Sequence, residues 1–145
     1  MLLTCTVELY IHHDGRWKCK RKRLVEKPGT RVFAIQWTGI FQCNETGTWT
    51  SSNSSDDNSY LWLGDTAKTG NFTKANCLID NSGDHAMRTI TKTFNLVKGT
   101  MYLIRIQYGE SAGGNDINVY FIKPSGGTTK IYDGTGYFLN PLDSI

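Results

Sequence analysis

Residues 90–108 read Ile90-Thr91-Lys92-Thr93-Phe94-Asn95-Leu96-Val97-Lys98-Gly99-Thr100-Met101-Tyr102-Leu103-Ile104-Arg105-Ile106-Gln107-Tyr108. Ile90, Phe94 and Leu96 fall on one face of a period-two pattern. Lys98-Gly99 turns the chain, and Tyr102, Ile104, Ile106 and Tyr108 line one face of the next stretch. Such alternation marks half-buried strands, because successive strand side chains point to opposite faces. Working outward, residues 2–11 repeat the pattern, with Leu3, Cys5, Val7, Leu9 and Ile11 opposed to Thr4, Thr6, Glu8 and Tyr10. Asp14-Gly15 supplies residues suited to a two-residue hairpin turn, where both central positions take positive φ. Pairing across it to a return strand over 16–25 sets Cys5 against Leu24 and Cys19 against Tyr10, which disfavours a Cys5–Cys19 disulfide. Further strands are predicted over 33–41, 60–63 and 117–121, with short runs at 77–79 and 136–138. Residues 51–59 read as a polar tract and 65–88 as mostly loop. No stretch carries a 3.6-residue period. The expectation is a single all-β domain of about ten short strands, a sandwich or barrel.

The 145 residues suffice for one domain with a real core. Fifteen glycines against three prolines suit a fold punctuated by tight turns. A net charge of +3 gives no argument for nucleic acid. No stretch reaches the roughly 18 apolar residues of a membrane span. The opening MLLTCTVELY lacks the basic leader, apolar core and cleavage site of a signal peptide, so the chain is expected to be made in the cytoplasm. Cys5, Cys19, Cys43 and Cys77 have no zinc spacing and read as free thiols. Sequons stand at Asn44, Asn53 and Asn71 and matter only in a secretory pathway.

Catalytic signatures are missing: there is no GxSxG elbow, HExxH or phosphate-binding loop, and the glycines of 109–114 lead into no helix. The chain is therefore read as a non-enzyme. One constellation stands out, Ser55-Asp56-Asp57-Asn58. Adjacent carboxylates repel unless a cation or several donors neutralise them. Ca²⁺ takes six to eight oxygens, which two carboxylates and carbonyls from the glycine-rich loop 109–116 could supply. On composition alone the plainer reading, a solvated turn, is favoured. Trp37, Trp49 and Trp62 sit in strand patterns and read as core. Trp17 lies in a basic hairpin with Lys18, Lys20, Arg21, Lys22 and Arg23. That run either guards an edge strand or contacts a polyanion or assembly partner. His85 is expected to bond locally.

Several stretches together resemble the GLEYA and protective-antigen-type lectin family. They are Ile35-Gln36-Trp37-Thr38-Gly39, Thr46-Gly47-Thr48-Trp49-Thr50, Ser55-Asp56-Asp57-Asn58-Ser59-Tyr60-Leu61-Trp62-Leu63-Gly64-Asp65, Asp80-Asn81-Ser82-Gly83-Asp84-His85, 102–114, and Gly134-Thr135-Gly136-Tyr137-Phe138. They cover residues 33–139 in family order, and their wording is closest to copies in virion structural proteins of marine tailed phages. The resemblance implies an all-β, single-domain antiparallel β-sandwich, a jelly-roll-like lectin barrel, in which Asp56 and Asp57 are joined by a cis peptide and bind Ca²⁺, with Glu110 where the family has Asn. The carbonyls of Ala112 and Gly114 would complete the shell. Asn58, Ser111, Asn115 and Asp116 would meet sugar. Gly114 stands where the adhesins carry a sugar-packing aromatic, and Ser51-Ser52-Asn53 replaces an apolar stretch.

These readings divide the chain into an N-terminal basic hairpin, 1–32, which the family does not match, and a lectin-type domain, 33–145. The resemblance implies a calcium-dependent carbohydrate-recognition module on a virion surface, as tail fibre, baseplate or capsid-decorating protein. Two alternatives stay open: a structural virion protein that has lost its sugar site, and a secreted cellular adhesin. Expected partners are a cell-surface glycan, other virion proteins and further copies of the chain.

Overall fold

The computed structural model describes residues 5–11, 17–19, 33–111, 114, 116–126 and 138–139. These form ten strands: β1 (Cys5–Ile11), β2 (Trp17–Cys19), β3 (Phe33–Gln42), β4 (Gly47–Asp56), β5 (Asn58–Leu63), β6 (Ile79–Asn81), β7 (Arg88–Leu96), β8 (Met101–Glu110), β9 (Asp116–Ile122) and β10 (Phe138–Leu139). The larger sheet runs β2-β1-β3-β8-β5-β6, with β10 also on β3, and the smaller runs β7-β4-β9. The all-β sandwich expected from the alternation is the fold observed. It is antiparallel except that β1 pairs parallel with β3, Cys5 opposite Ile35 through Glu8 opposite Thr38.

The two strands of 90–108 belong to different sheets, so the turn at Lys98-Gly99 carries the chain across the sandwich rather than closing a hairpin. Their apolar faces meet in the core between the sheets. Phe41, Trp49, Leu61, Ile79, Leu96, Ile104 and Phe121 are buried there with Cys43. Phe41 meets Trp49 edge-on at 5.2 Å and stacks on Phe121 at 5.1 Å. Trp62 is buried on the opposite face of β5 from Leu61, under the 64–76 segment, where its indole donates to the Thr73 carbonyl at 2.7 Å. Burial on both faces explains why β5 reads as a continuous apolar run rather than alternating. Trp37 is half-buried, and Trp49 and Trp62 are core as expected.

Three sequence readings are corrected. Residues 51–56 of the polar tract are not loop but the second half of β4, the central strand of the smaller sheet, paired to β7 and β9 along their length. Hydroxyls are tolerated in a central strand because they pair across it: Ser52 with Thr91 at 2.6 Å and Ser54 with Thr89 at 2.8 Å. Within 65–88, β6 occupies Ile79–Asn81, two residues later than the expected run at 77–79. The first hairpin is also offset by one residue, with Cys19 opposite Leu9 and Lys18 opposite Tyr10. A strict two-residue turn would not give that register. Its turn residues lie outside the described residues. Asn53 is buried inside β4, whereas Asn44 and Asn71 are exposed.

Candidate functional site

Three connections pass between the sheets at one end of the sandwich: β4 to β5 through Asp57, β6 to β7 through 82–87, and β8 to β9 through 111–115. Register brings them together. Ser55 pairs with Arg88 and Ile117, Asp56 with Asp116, Asn58 with Gly109 and Ser59 with Asn81. Asp56 and Asp57 stand at the crossing itself, joined by a cis peptide bond.

Ligand-type oxygens of Asp56, Asp57 and Glu110 lie within 4.8 Å of one another. Oxygens bound to one Ca²⁺ at 2.3–2.6 Å can be at most roughly 5 Å apart, so the spacing fits a single ion. Without a cation, charges at such separations repel by roughly 3–4 kcal/mol per pair at an effective dielectric near 20. The donor set bears this out. Asp57, 4% exposed, accepts from the His85 N–H at 2.9 Å on Oδ1, and from the Ser111 N–H at 2.9 Å and hydroxyl at 2.8 Å on Oδ2. The Tyr108 hydroxyl donates to the Asp56 carbonyl and reaches Glu110 Oε2 at 3.2 Å. Glu110 is 2% exposed, yet its Oε1 is buried with no hydrogen-bond partner. An orphan carboxylate oxygen beside two further carboxylates is a donor set that suits a hard cation. Burial, and then the neighbouring Asp57 and Asp56, push the Glu110 carboxyl above its usual range, against the hydrogen bond from Tyr108. Burial likewise pushes the Tyr108 phenol up.

A buried polar relay holds the crossing. Ser55 donates to the Asp57 carbonyl at 2.7 Å and lies 2.8 Å from the Ser59 hydroxyl. Asn81 donates to Ser55 Oγ at 3.0 Å and accepts from Arg88 Nε at 2.7 Å, while Arg88 also donates to the Ser82 carbonyl at 2.7 Å. Asp57 is thus the acceptor on which the loops 82–87 and 111–115 both close.

Of the candidates named from sequence, Asp56, Asp57 and Glu110 converge. Gly114 is beside them, since a Cβ there would stand 3.4 Å from Asp56 Oδ2. Asn58, Ser111 and Asp116 border the cluster through β5, the Asp57 carboxylate and the pairing with Asp56. Ala112, Asn115, Lys20, Arg21, Lys22 and Arg23 lie outside the described residues, as do the side chains of Trp17 and Lys18. Sequence reasoning missed the wall formed by 82–87. His85 bonds locally through its ring, 2.9 Å from the Ala86 carbonyl and 3.2 Å from that of Asn81, but its backbone N–H is what serves the site. Nothing in a side-chain motif announces a backbone donor.

Comparison with solved structures gives the same architecture. The PA14 domain of the MpAFP antifreeze protein superposes with a TM-score of 0.58 at 14% identity, over 74% of this chain and 51% of that one. The PA14 sugar-binding domain of an RTX adhesin gives 0.57 at 14% identity, over 75% and 55%. The A domain of epithelial adhesin 9 from Candida glabrata, in complex with Galb1-3GlcNAc, gives 0.55 at 18% identity, over 74% and 51%. The chain thus spans about half the length of these structures. No curated protein sequence matches it. The GLEYA domain family model matches residues 33–123, from β3 through β9 and across the whole acidic crossing, and the chain belongs to that family.

Proposed function

We propose that the protein is a non-enzymatic, calcium-dependent carbohydrate-recognition module, with Asp56, Asp57 and Glu110 as ion ligands. The observation that carries this reading is the buried, unpartnered Glu110 Oε1 beside the two aspartates. Ala112 and Gly114 would add carbonyl oxygens from the 111–115 loop. A bound Ca²⁺ would offer open coordination positions to vicinal sugar hydroxyls. The protein's own contribution is to fix Asp57 through Ser111 and His85, so the carboxylates do not splay when the ion leaves. Asn58, Ser111, Asn115 and Asp116 would contact the sugar at the rim. The bound forms named for the adhesin structures support a glycan as the partner. The setting we favour is a virion surface, in a tail fibre, baseplate or capsid-decorating protein, on the wording of its motifs.

A second reading is favoured by one observation: Gly114 is exposed and offers no apolar side chain where a sugar ring would pack. In it the scaffold serves virion assembly and binds no sugar. Calcium titration by calorimetry on the wild type and Asp57→Ala, followed by a glycan array with and without Ca²⁺, separates the two. Saturable binding lost in the variant, with calcium-dependent array signals, supports recognition. Calcium binding with a blank array, in a protein that still enters particles, leaves the assembly role. No calcium binding by the wild type sinks the ion site.

A further inference from the structure

We propose that the sandwich interior holds an ordered water bound between Ser51 and Asn53, at a site separate from the acidic crossing. Both residues are 0% exposed, and Ser51 Oγ, Asn53 Oδ1 and Asn53 Nδ2 meet no hydrogen-bond partner in the protein. They face inward. Asn53 is opposite Ile90 on β7 and Val119 on β9, and Ser51 is opposite Lys92 and Phe121. Directly opposed strand residues share a face, and Phe121, Ile90 and Val119 all pack on the apolar core. Unsatisfied buried amides carry their full desolvation penalty, so native proteins rarely leave them bare.

The chemistry selects the occupant. Asn53 presents a donor and an acceptor, and Ser51 can be either, so the set needs a molecule that both gives and takes hydrogen bonds. A cation would leave the Asn53 amide protons unserved, and no carboxylate shares this face with them. Residues two apart on a strand are separated by about 6.6 Å at their Cα atoms, so one water bonded at about 2.8 Å on each side joins the pair when the longer Asn53 side chain leans toward Ser51 and brings the polar atoms within about 5.6 Å. Three polar atoms supply the two to four partners an interior water takes. A groove of about 610 Å³ opens at the sandwich edge between β6 and β7, lined in part by Leu78, Asp80, Ile90 and Lys92. Ile90 and Lys92 are the ladder partners of Asn53 and Ser51. This also gives a physical use to Ser51-Ser52-Asn53, whose polarity within β4 the ion site does not require.

The test is rotating-frame magnetisation transfer from water to the Asn53 side-chain amide in ¹⁵N-labelled wild-type protein, with a crystal structure at about 1.5 Å beside it. The expected result is a direct water cross-peak to Asn53 Nδ2 and density within hydrogen-bond distance of both residues. Ser51→Ala, which removes one partner and leaves the Asn53 amide in place as the reporter, should weaken the cross-peak. A wild-type spectrum without the cross-peak, or a crystal showing Asn53 bonded to protein atoms alone, overturns the proposal whether or not the variant folds.

Discussion

Glu110 concentrates the conflict at the site. Its carboxyl is held above the ordinary range chiefly by burial and then by Asp57 and Asp56. An acid whose folded value is raised stabilises the fold most fully below its unfolded value, near 4.3, and loses that contribution as pH rises through the folded value. In chelator, stability from this group should therefore fall as pH rises above about 4. Glu110→Gln keeps an oxygen for Tyr108 but removes the charge. In urea at pH 7 it should unfold at higher denaturant than the calcium-free wild type, a gap that closes below about pH 4. The same variant should bind Ca²⁺ at least tenfold more weakly. A variant less stable than wild type at pH 7 in chelator would show that repulsion is not what Glu110 contributes. Asp57 acts oppositely: in Asp57→Ala the Ser111 and His85 donors lose their acceptor. Loss of calcium binding should then come with about 1–3 kcal/mol lower stability even without the ion.

At the scale of the element, β4 carries two demands at its two ends. At its start, Gly47 has φ +143°, and a Cβ there would stand 2.8 Å from the Pro124 ring. Both backbone preference and a stiff neighbour oppose any side chain. Gly47→Ala should cost about 1–3 kcal/mol in denaturant unfolding while leaving calcium affinity within twofold, because the acidic crossing lies at the far end of the strand. A large affinity loss would mean that the strand transmits strain along its length. At its far end, Ser55 is tied to Asn81 and so to Arg88, which makes β6 and β7 the props of the acidic crossing.

Over the whole molecule, the proposed ion site couples to folding because its candidate ligands come from β4, the Asp57 link and β8, which only the folded sandwich brings together. An ion that binds the native state alone stabilises it by mass action, by about 2.7 kcal/mol at one hundred times its Kd. For a domain of 145 residues this should raise the melting temperature by roughly 8 °C, reversed by chelator and absent in Asp57→Ala. An unchanged melting curve at saturating calcium would remove the coupling. Among the described residues no helix is long and apolar enough to cross a membrane.

The strand alternation of 90–108, repeated over 2–11, was enough to predict an all-β fold, because period-two burial is a local property of the chain. The adjacency of Asp56 and Asp57 was likewise legible, being covalent. Other features depended on contacts between distant residues. Residues 51–56 read as part of a polar tract, since hydroxyls become strand residues only when β7 and β9 supply their partners. That β7 and β8 belong to different sheets could not be read from a turn that would serve a hairpin equally well. Glu110 entered as a candidate by resemblance, but its orphaned oxygen is a consequence of how β8 packs beside the β4–β5 crossing. The backbone N–H of His85 was invisible because every residue but proline has one, and only the tertiary fold decides which of them points at a carboxylate.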